Sequence, residues 1–375
     1  MRTIRRFLRR LIIRLFGGVG ETILLPRIQN IYDRLPLLDW RTKRYCANEA
    51  RRIQSAISNN VTQFTIVFDC QTVLSYGAIL NMLTIARYLT SHEKFVNFIV
   101  VDTEFQHAQE NENLDKEKMS ERINDLVVIS KALLDPKMSS VSLISPTTLL
   151  DEIDSLSKSY ILFDDFTRDR RPFFRDCFNV FNVLMSELSP VTQNRILFSV
   201  RDFEKYIPKS FEINPYVTWQ CRYSSRGVDF GRQTLRDEFL KSYTYLRTRF
   251  PGHQVMIISD VDGCEHYSTL AKDLDIADLV FSKDYSSDFL GDAALLLNSD
   301  FFFFFRGGGI GLFAIHSRIP YEYFSPIMND MMWDKKKFAS WQGESQRFVL
   351  LDKHQFVEDR SLDLEKIGFS STGSS

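Results

Sequence analysis

The feature that most constrains the fold is a run of five phenylalanines, Phe301–Phe305, followed directly by Arg306-Gly307-Gly308-Gly309. A strand with large apolar side chains at every position must be buried on both faces, as in the centre of a helix-covered parallel sheet. Ile310 to His316 has the pattern of a helix that follows the glycines. The run therefore predicts a central strand of an α/β domain with a glycine-rich turn at its carboxyl end.

The same order of elements occurs in the N-terminal half. Val61–Phe68 and Phe95–Val101 have the composition of strands, and the helical pattern Ala78–Leu89 lies between them. A strand–helix–strand order predicts a parallel sheet. Strands and helices alternate again from Tyr216 to Phe324.

The length of 375 residues suits two domains of ordinary size. The stretch Pro190–Pro215 contains three prolines and marks the interdomain region. We therefore predict an α/β fold of two Rossmann-like domains that face each other across a cleft. The expected segments are a basic amphipathic helix (1–20), an N-terminal domain (21–200), a C-terminal domain (201–350) and a tail (351–375).

The first sixteen residues contain six arginines and no acid. On a helix, Ile4, Phe7, Leu8, Leu11 and Leu15 share one face, and the arginines lie opposite. Such a helix is expected to lie flat on an anionic membrane surface. It lacks the uninterrupted apolar stretch of about 20 residues that is needed to cross a membrane. Two alternatives are an organellar transit peptide and a helix that packs on its own chain.

Composition excludes several classes of protein. The formal net charge of -1 disfavours a general nucleic-acid binder, so no nucleic-acid partner is expected. The five cysteines are scattered and odd in number, and the histidines show no metal-ligand spacing, so neither a disulfide framework nor a metal site is expected. Reduced thiols indicate a cytoplasmic protein.

The sharpest candidate site is Arg306-Gly307-Gly308-Gly309. Ligands bind α/β sheets beyond the carboxyl ends of their strands, glycines let the backbone approach a phosphate, and a helix N-terminus offers free N–H donors. Arg306 adds a bidentate partner for an anion. The alternative is a tight turn that needs positive φ.

A second candidate site begins after the predicted strand Tyr216–Cys221. Arg222 follows that strand, and Arg226 and Arg232 lie close behind it in the sequence. Parallel strands would place Arg222 on the same sheet edge as Arg306, where two arginines would hold a diphosphate and offset the charge of a leaving group. The alternative is a surface loop of salt bridges.

Carboxylates end two further predicted strands. Asp260-Val261-Asp262 resembles a D-x-D metal motif, but we favour Ser259 and Asp260 as polar contacts to a nucleobase or ribose. Asp69 follows the first strand and, with the loop Ser75-Tyr76-Gly77, would face an acceptor. Asp69 would then be a general base; the alternative is a cap of the following helix.

From Tyr216 to Phe324 the chain resembles the donor domain of GT-B glycosyltransferases, with closest similarity to the fucosyltransferase-like branch and to bacterial surface-polysaccharide transferases. Trp219-Gln220-Cys221-Arg222 stands where those proteins have an H-x-R-like segment, with Gln220 in the histidine's place. Ser259-Asp260 matches a Ser-Asp strand end, and Phe301–Gly311 matches a buried strand followed by a glycine-rich loop. The resemblance implies metal-independent transfer from a nucleotide-sugar without a further cofactor, with Arg222 holding the diphosphate.

The first functional expectation is therefore a cytoplasmic glycosyltransferase that moves a sugar from a nucleoside-diphosphate sugar to a glycan or lipid-linked acceptor, held at the membrane face by residues 1–16. The alternative is a non-catalytic nucleotide or phosphosugar binder derived from such a transferase. An NAD-type oxidoreductase is disfavoured because the dinucleotide fingerprint is missing.

Overall fold

The computed structural model describes residues 36–70, 74–103, 116–149, 151, 159–162, 173–213, 215–223, 234, 236–305, 309–325 and 346–350. The chain divides into two compact units, Met1–Glu49 and Ala50–Ser375. Both sheets lie in the second unit. The predicted helix at residues 1–16 and the tail at 351–375 lie outside the described residues.

The N-terminal sheet contains four strands and is preceded by a long helix. The strands are β1 (Gln63–Asp69), β2 (Phe95–Val101), β3 (Ser139–Ile144) and β4 (Tyr160–Leu162), and the helices are α1 (Pro36–Ser58), α2 (Tyr76–Ser91), α3 (Lys116–Leu133) and α4 (Phe173–Met185). The spatial order is β3-β2-β1-β4, and each pairing is parallel. The predicted βαβ unit is confirmed.

Two short helices, α5 (Pro190–Ile196) and α6 (Val200–Phe203), lead to the second sheet. Its strands are β5 (Tyr216–Gln220), β6 (Gln254–Ile258), β7 (Leu279–Phe281), β8 (Phe302–Phe305), β9 (Tyr321–Ser325) and β10 (Gln346–Leu350). Its helices are α7 (Arg236–Arg249), α8 (Val261–Asp273), α9 (Phe289–Leu297) and α10 (Gly311–Ile315).

This C-terminal sheet has the order β7-β6-β5-β8-β9-β10, again with parallel pairings. The order is the 3-2-1-4-5-6 arrangement of the Rossmann fold, and the N-terminal sheet shows its first four positions. The prediction of an α/β chain with two Rossmann-like sheets is confirmed.

The phenylalanine run is a central strand, as predicted, and its side chains alternate between two layers. Phe301 and Phe303 pack with Trp219 in the core beneath α7 and α8. Phe304 stacks on Tyr323 on the other side, with ring centroids 4.0 Å apart. Burying one such side chain stabilises the fold by about 1.5–3 kcal/mol, so this strand contributes strongly to the free energy of unfolding.

None of the described helices combines the length and the apolar character needed to cross a bilayer.

Candidate functional site

The carboxyl ends of β5 and β8 form the reversal point of the C-terminal sheet. The two strands are direct neighbours, with Gln220 paired to Phe304. Two further strands, β6 and β7, lie beyond β5 on one side, and two, β9 and β10, lie beyond β8 on the other. Because ligands of open α/β sheets bind where the strand order reverses, Arg222 after β5 and the glycine-rich sequence after β8 follow the two strands that flank the expected binding crevice.

Arg222 is half-buried, and its backbone is fixed from two directions. Its N–H donates to Oγ1 of Thr234 at 3.2 Å, and its carbonyl accepts from the N–H of Thr234 at 2.9 Å. The hydroxyl of Tyr267, on α8, also donates to that carbonyl at 2.6 Å. The two ends of the intervening segment are thus held together at the sheet edge. Arg226 and Arg232 belong to this segment and lie outside the described residues.

Ser259 and Asp260 lie on the same edge and have structural partners there. The Ser259 hydroxyl donates to the carbonyl of Cys221 at 2.8 Å, which joins the ends of β6 and β5. Asp260 is the N-cap of α8, with Oδ1 accepting from the N–H of Gly263 at 2.9 Å. The cap starts the helix at Val261, so Asp262 lies in the first helical turn. The contact of Ser259 and Asp260 to a nucleobase or ribose stays a prediction.

An aromatic pair that the sequence did not predict lies beside these residues. The rings of Tyr223 and His266 stack with centroids 4.1 Å apart and planes inclined by 17°. Burial lowers the pKa of His266, so the ring favours its neutral form. The pair forms because the chain after β5 packs on α8, a contact that local spacing does not reveal.

Gly309 is the described member of the glycine-rich sequence; Arg306, Gly307 and Gly308 lie outside the described residues. A Cβ added to Gly309 would lie 2.8 Å from Cβ of Tyr76 and 3.5 Å from the backbone N of Gly77. Its φ is outside the left-handed region. The alternative of a turn that needs positive φ is therefore wrong for this residue. What excludes a side chain at Gly309 is the close approach of α2.

Asp69 is the last residue of β1, where it pairs with Val101 of β2. The N-cap of the following helix is Ser75, so the alternative that Asp69 caps it is wrong. Burial, Asp69 and Asp102 together raise the pKa of the neighbouring Cys70 thiol. Two carboxylates therefore lie near the carboxyl edge of the N-terminal sheet.

Two further features concern possible sites for a metal ion or another ligand. Within the described ranges, no three His, Cys, Asp or Glu side chains are grouped to hold a metal ion. A groove of about 610 Å³ is lined by Glu117, Ser120, Glu121 and Asn124 of α3 and includes none of the predicted site residues.

No protein-family model matches the chain, and no curated protein matches it in sequence. Among solved structures it is similar to the E. coli heptosyltransferase WaaC with ADP-2-deoxy-2-fluoro heptose, at 11% identity and a TM-score of 0.39 over 76% of this chain and 92% of that one. It is also similar to E. coli ADP-heptose lps heptosyltransferase II, at 10% identity and a TM-score of 0.39 over 79% and 94% of the two chains.

A third similar structure is the UDP-GlcNAc 2-epimerase from Neisseria meningitidis bound to UDP-GlcNAc, at 10% identity and a TM-score of 0.35 over 70% of this chain and 82% of that one. Two of the three are glycosyltransferases, the class named by the sequence resemblance, and neither is a fucosyltransferase. At TM-scores below 0.5 these similarities assign no activity, ligand or residue role to this chain.

Proposed function

We propose that the protein is a glycosyltransferase that moves a sugar from a nucleoside-diphosphate sugar to a glycan or lipid-linked acceptor. The observation that carries this proposal is the adjacency of β5 and β8, which gives the segments of Arg222 and of Arg306–Gly309 a common starting edge at the reversal point of a Rossmann-type sheet.

In the proposed reaction, an acceptor hydroxyl attacks the anomeric carbon of the donor. A new glycosidic bond forms, the bond to the diphosphate breaks, and the nucleoside diphosphate leaves with the bonding electrons. Arg222 and Arg306 offset the negative charge that develops on this leaving group. Asp69 takes the proton of the acceptor hydroxyl as general base.

The remaining assignments belong to the same proposal. Arg226, Arg232 and Gly307–Gly309 hold the diphosphate, and Ser259 and Asp260 contact the nucleobase or ribose. The two arginines take the place of a divalent cation, so we propose metal-independent transfer without a further cofactor. Residues 1–16 would hold this cytoplasmic enzyme at an anionic membrane surface, near a lipid-linked acceptor.

A second candidate function is non-catalytic binding of a nucleotide or phosphosugar. Gln220 stands in the histidine's place, and its Oε1 is buried with no hydrogen-bond partner among the described residues. A buried acceptor without a partner costs stability and suits a bound donor group such as a hydroxyl. Gln220 would then contact a ligand without transferring a proton.

The test is the thermal shift of the purified protein with ADP, GDP, UDP and CDP, with and without EDTA. Binding to the folded state raises Tm by mass action, so one diphosphate should shift Tm by several degrees in the wild type, with or without EDTA. Arg222→Ala should remain folded and lose the shift. Arg201→Ala, an exposed arginine on α6, is the matched control and should keep it.

The absence of any shift at millimolar diphosphate would refute the donor site. An EDTA-sensitive shift would refute metal independence. If a diphosphate binds but the corresponding sugar nucleotides are neither transferred nor hydrolysed, the non-catalytic function is correct.

A further inference from the structure

Tyr76, the first residue of α2, lies between the two sheet-bearing halves of the second unit. Its ring stacks on Phe289, the first residue of α9, with centroids 3.9 Å apart and planes inclined by 13°. The guanidinium of Arg122, on α3, lies 5.3 Å from the centroid of the Tyr76 ring. The Tyr76 hydroxyl donates to Oδ2 of Asp125, also on α3, at 2.6 Å. Contacts with both α3 and α9 thus fix one aromatic ring.

The ring stays neutral in this setting. Burial, followed by the hydrogen bond and the charge of Asp125, raises the pKa of Tyr76, while Arg122 lowers it. Tyr76 is therefore a permanent donor to Asp125, and the hydrogen bond restrains the rotation of the ring. A tyrosine has two side-chain torsions, so little freedom is left once both ends of the ring are held.

Gly309 packs directly on this residue. The 2.8 Å between a Cβ on Gly309 and Cβ of Tyr76 is shorter than real Cβ contacts, so the backbone after β8 approaches α2 as closely as a glycine permits. Gly77 allows the same approach from the other side, since a Cβ there would lie 3.1 Å from Cδ1 of Leu312 and 3.9 Å from Cα of Gly309. The position of Gly309 beyond the end of β8 therefore depends on Tyr76.

We propose that Tyr76 is a positioning residue for the diphosphate site at the carboxyl end of β8. Tyr76 fixes the position of Gly309, one of the residues proposed to contact the diphosphate. A helix that packs on the N-terminal sheet thus contributes to donor affinity without touching the donor. This inference rests on the proposed function, because it takes the glycine-rich sequence as the diphosphate site.

The first experiment measures the Kd of the diphosphate that stabilises the wild type, by calorimetry, for Tyr76→Phe and Tyr76→Leu. Phenylalanine keeps the stacking on Phe289, so its Kd should stay within about threefold of the wild-type value, whereas leucine removes the stacking and should raise Kd about tenfold or more. Asn81→Ala is the control, since it removes a contact between α2 and His316 at the other end of the same interface. It should lower Tm and leave Kd unchanged.

The second experiment needs no nucleotide. Hydrogen exchange of the backbone amides in Gly309–Phe313 should be faster in Tyr76→Leu than in the wild type and unchanged in Tyr76→Phe, while β6 exchanges equally in all three. Equal exchange in Gly309–Phe313 for Tyr76→Leu and wild type would overturn the inference, even if no diphosphate binds. If diphosphate binds but Tyr76→Leu leaves Kd unchanged, the inference fails and the proposed function stands.

Discussion

The Nε2 atom of His316 lies 2.8 Å from Oδ1 of Asn81 and joins the end of α10 to the middle of α2. Because an amide oxygen only accepts, the histidine nitrogen donates, and the ring is the neutral Nε2–H tautomer. The ring is fully buried among Phe178, Phe181 and Phe198. The carbonyl of His316 accepts from the N–H of Phe198 at 2.7 Å, so the residue links the two halves through side chain and backbone.

Because His316 is buried, we predict that the folded protein loses stability in acid. Burial lowers the pKa of His316 to about 3 in the folded state, whereas the unfolded chain titrates near its ordinary 6.5. The unfolded state therefore binds more protons below pH 6.5, and the free energy of unfolding falls by up to about 1.4 kcal/mol for each pH unit between 6.5 and 3.

The variant His316→Phe lacks this titration. It should be less stable than the wild type at pH 7.5, because Asn81 loses a buried donor. Since only the wild type loses stability through this titration, the free energies of unfolding of the two proteins, measured with urea, should approach each other towards about pH 5. His316→Gln, which keeps a donor but does not titrate, is the control and should show the same change in slope. A constant difference between wild type and His316→Phe from pH 7.5 to 4.5 would contradict the burial argument.

Gly309→Ala tests the close approach of α2 to the chain after β8. The added methyl group would meet Cβ of Tyr76 at 2.8 Å, and neither atom can move without the backbone. We expect the free energy of unfolding to fall by about 1–3 kcal/mol, the usual cost of overpacking. Chemical denaturation measures this change.

Gly252→Ala is the matched control, because a Cβ on Gly252 meets no atom within 4 Å. Its effect on stability should stay within about 0.5 kcal/mol. Equal stability of the two variants would show that Gly309 is not packed against Tyr76.

Arg87, on α2, binds the segment that connects the two sheets, and we predict that the stability of the protein depends on this side chain. Its guanidinium donates to the carbonyls of Leu133, Arg195, Ile196 and Leu197 and pairs with Asp202 of α6 at 3.1 Å. Lysine keeps the charge but presents its donors from one atom, so it cannot reach these acceptors together.

Arg87→Lys should therefore lower the free energy of unfolding by about 3 kcal/mol, since several partly buried carbonyls lose charged donors. Arg201→Lys, at an exposed position nearby, should change it by less than about 0.5 kcal/mol. Urea titration of both variants decides the question, and similar midpoints would mean that Arg87 does not organise this connection.

Several helices and strands could be predicted from the sequence because the residues that define them lie next to one another in the chain. The phenylalanine run is a central strand, and β2 has the predicted bounds Phe95–Val101, since a largely apolar stretch between polar residues defines such a strand. The helix Pro36–Ser58 and the strand Gln346–Leu350 were not predicted. The helix is rich in charged residues and the strand is short, so local composition alone does not reveal either.

By itself, the sequence determined the α/β class, the parallel pairing and the residues that follow each strand, because strand length, burial and chain order are encoded within a few residues of one another. Only the tertiary structure decided that β5 and β8 are neighbours, that Tyr223 meets His266, and that Tyr76 packs on Gly309. Each of these contacts joins residues far apart in the chain, and their formation depends on how sheets and helices bury their apolar faces together rather than on local preference.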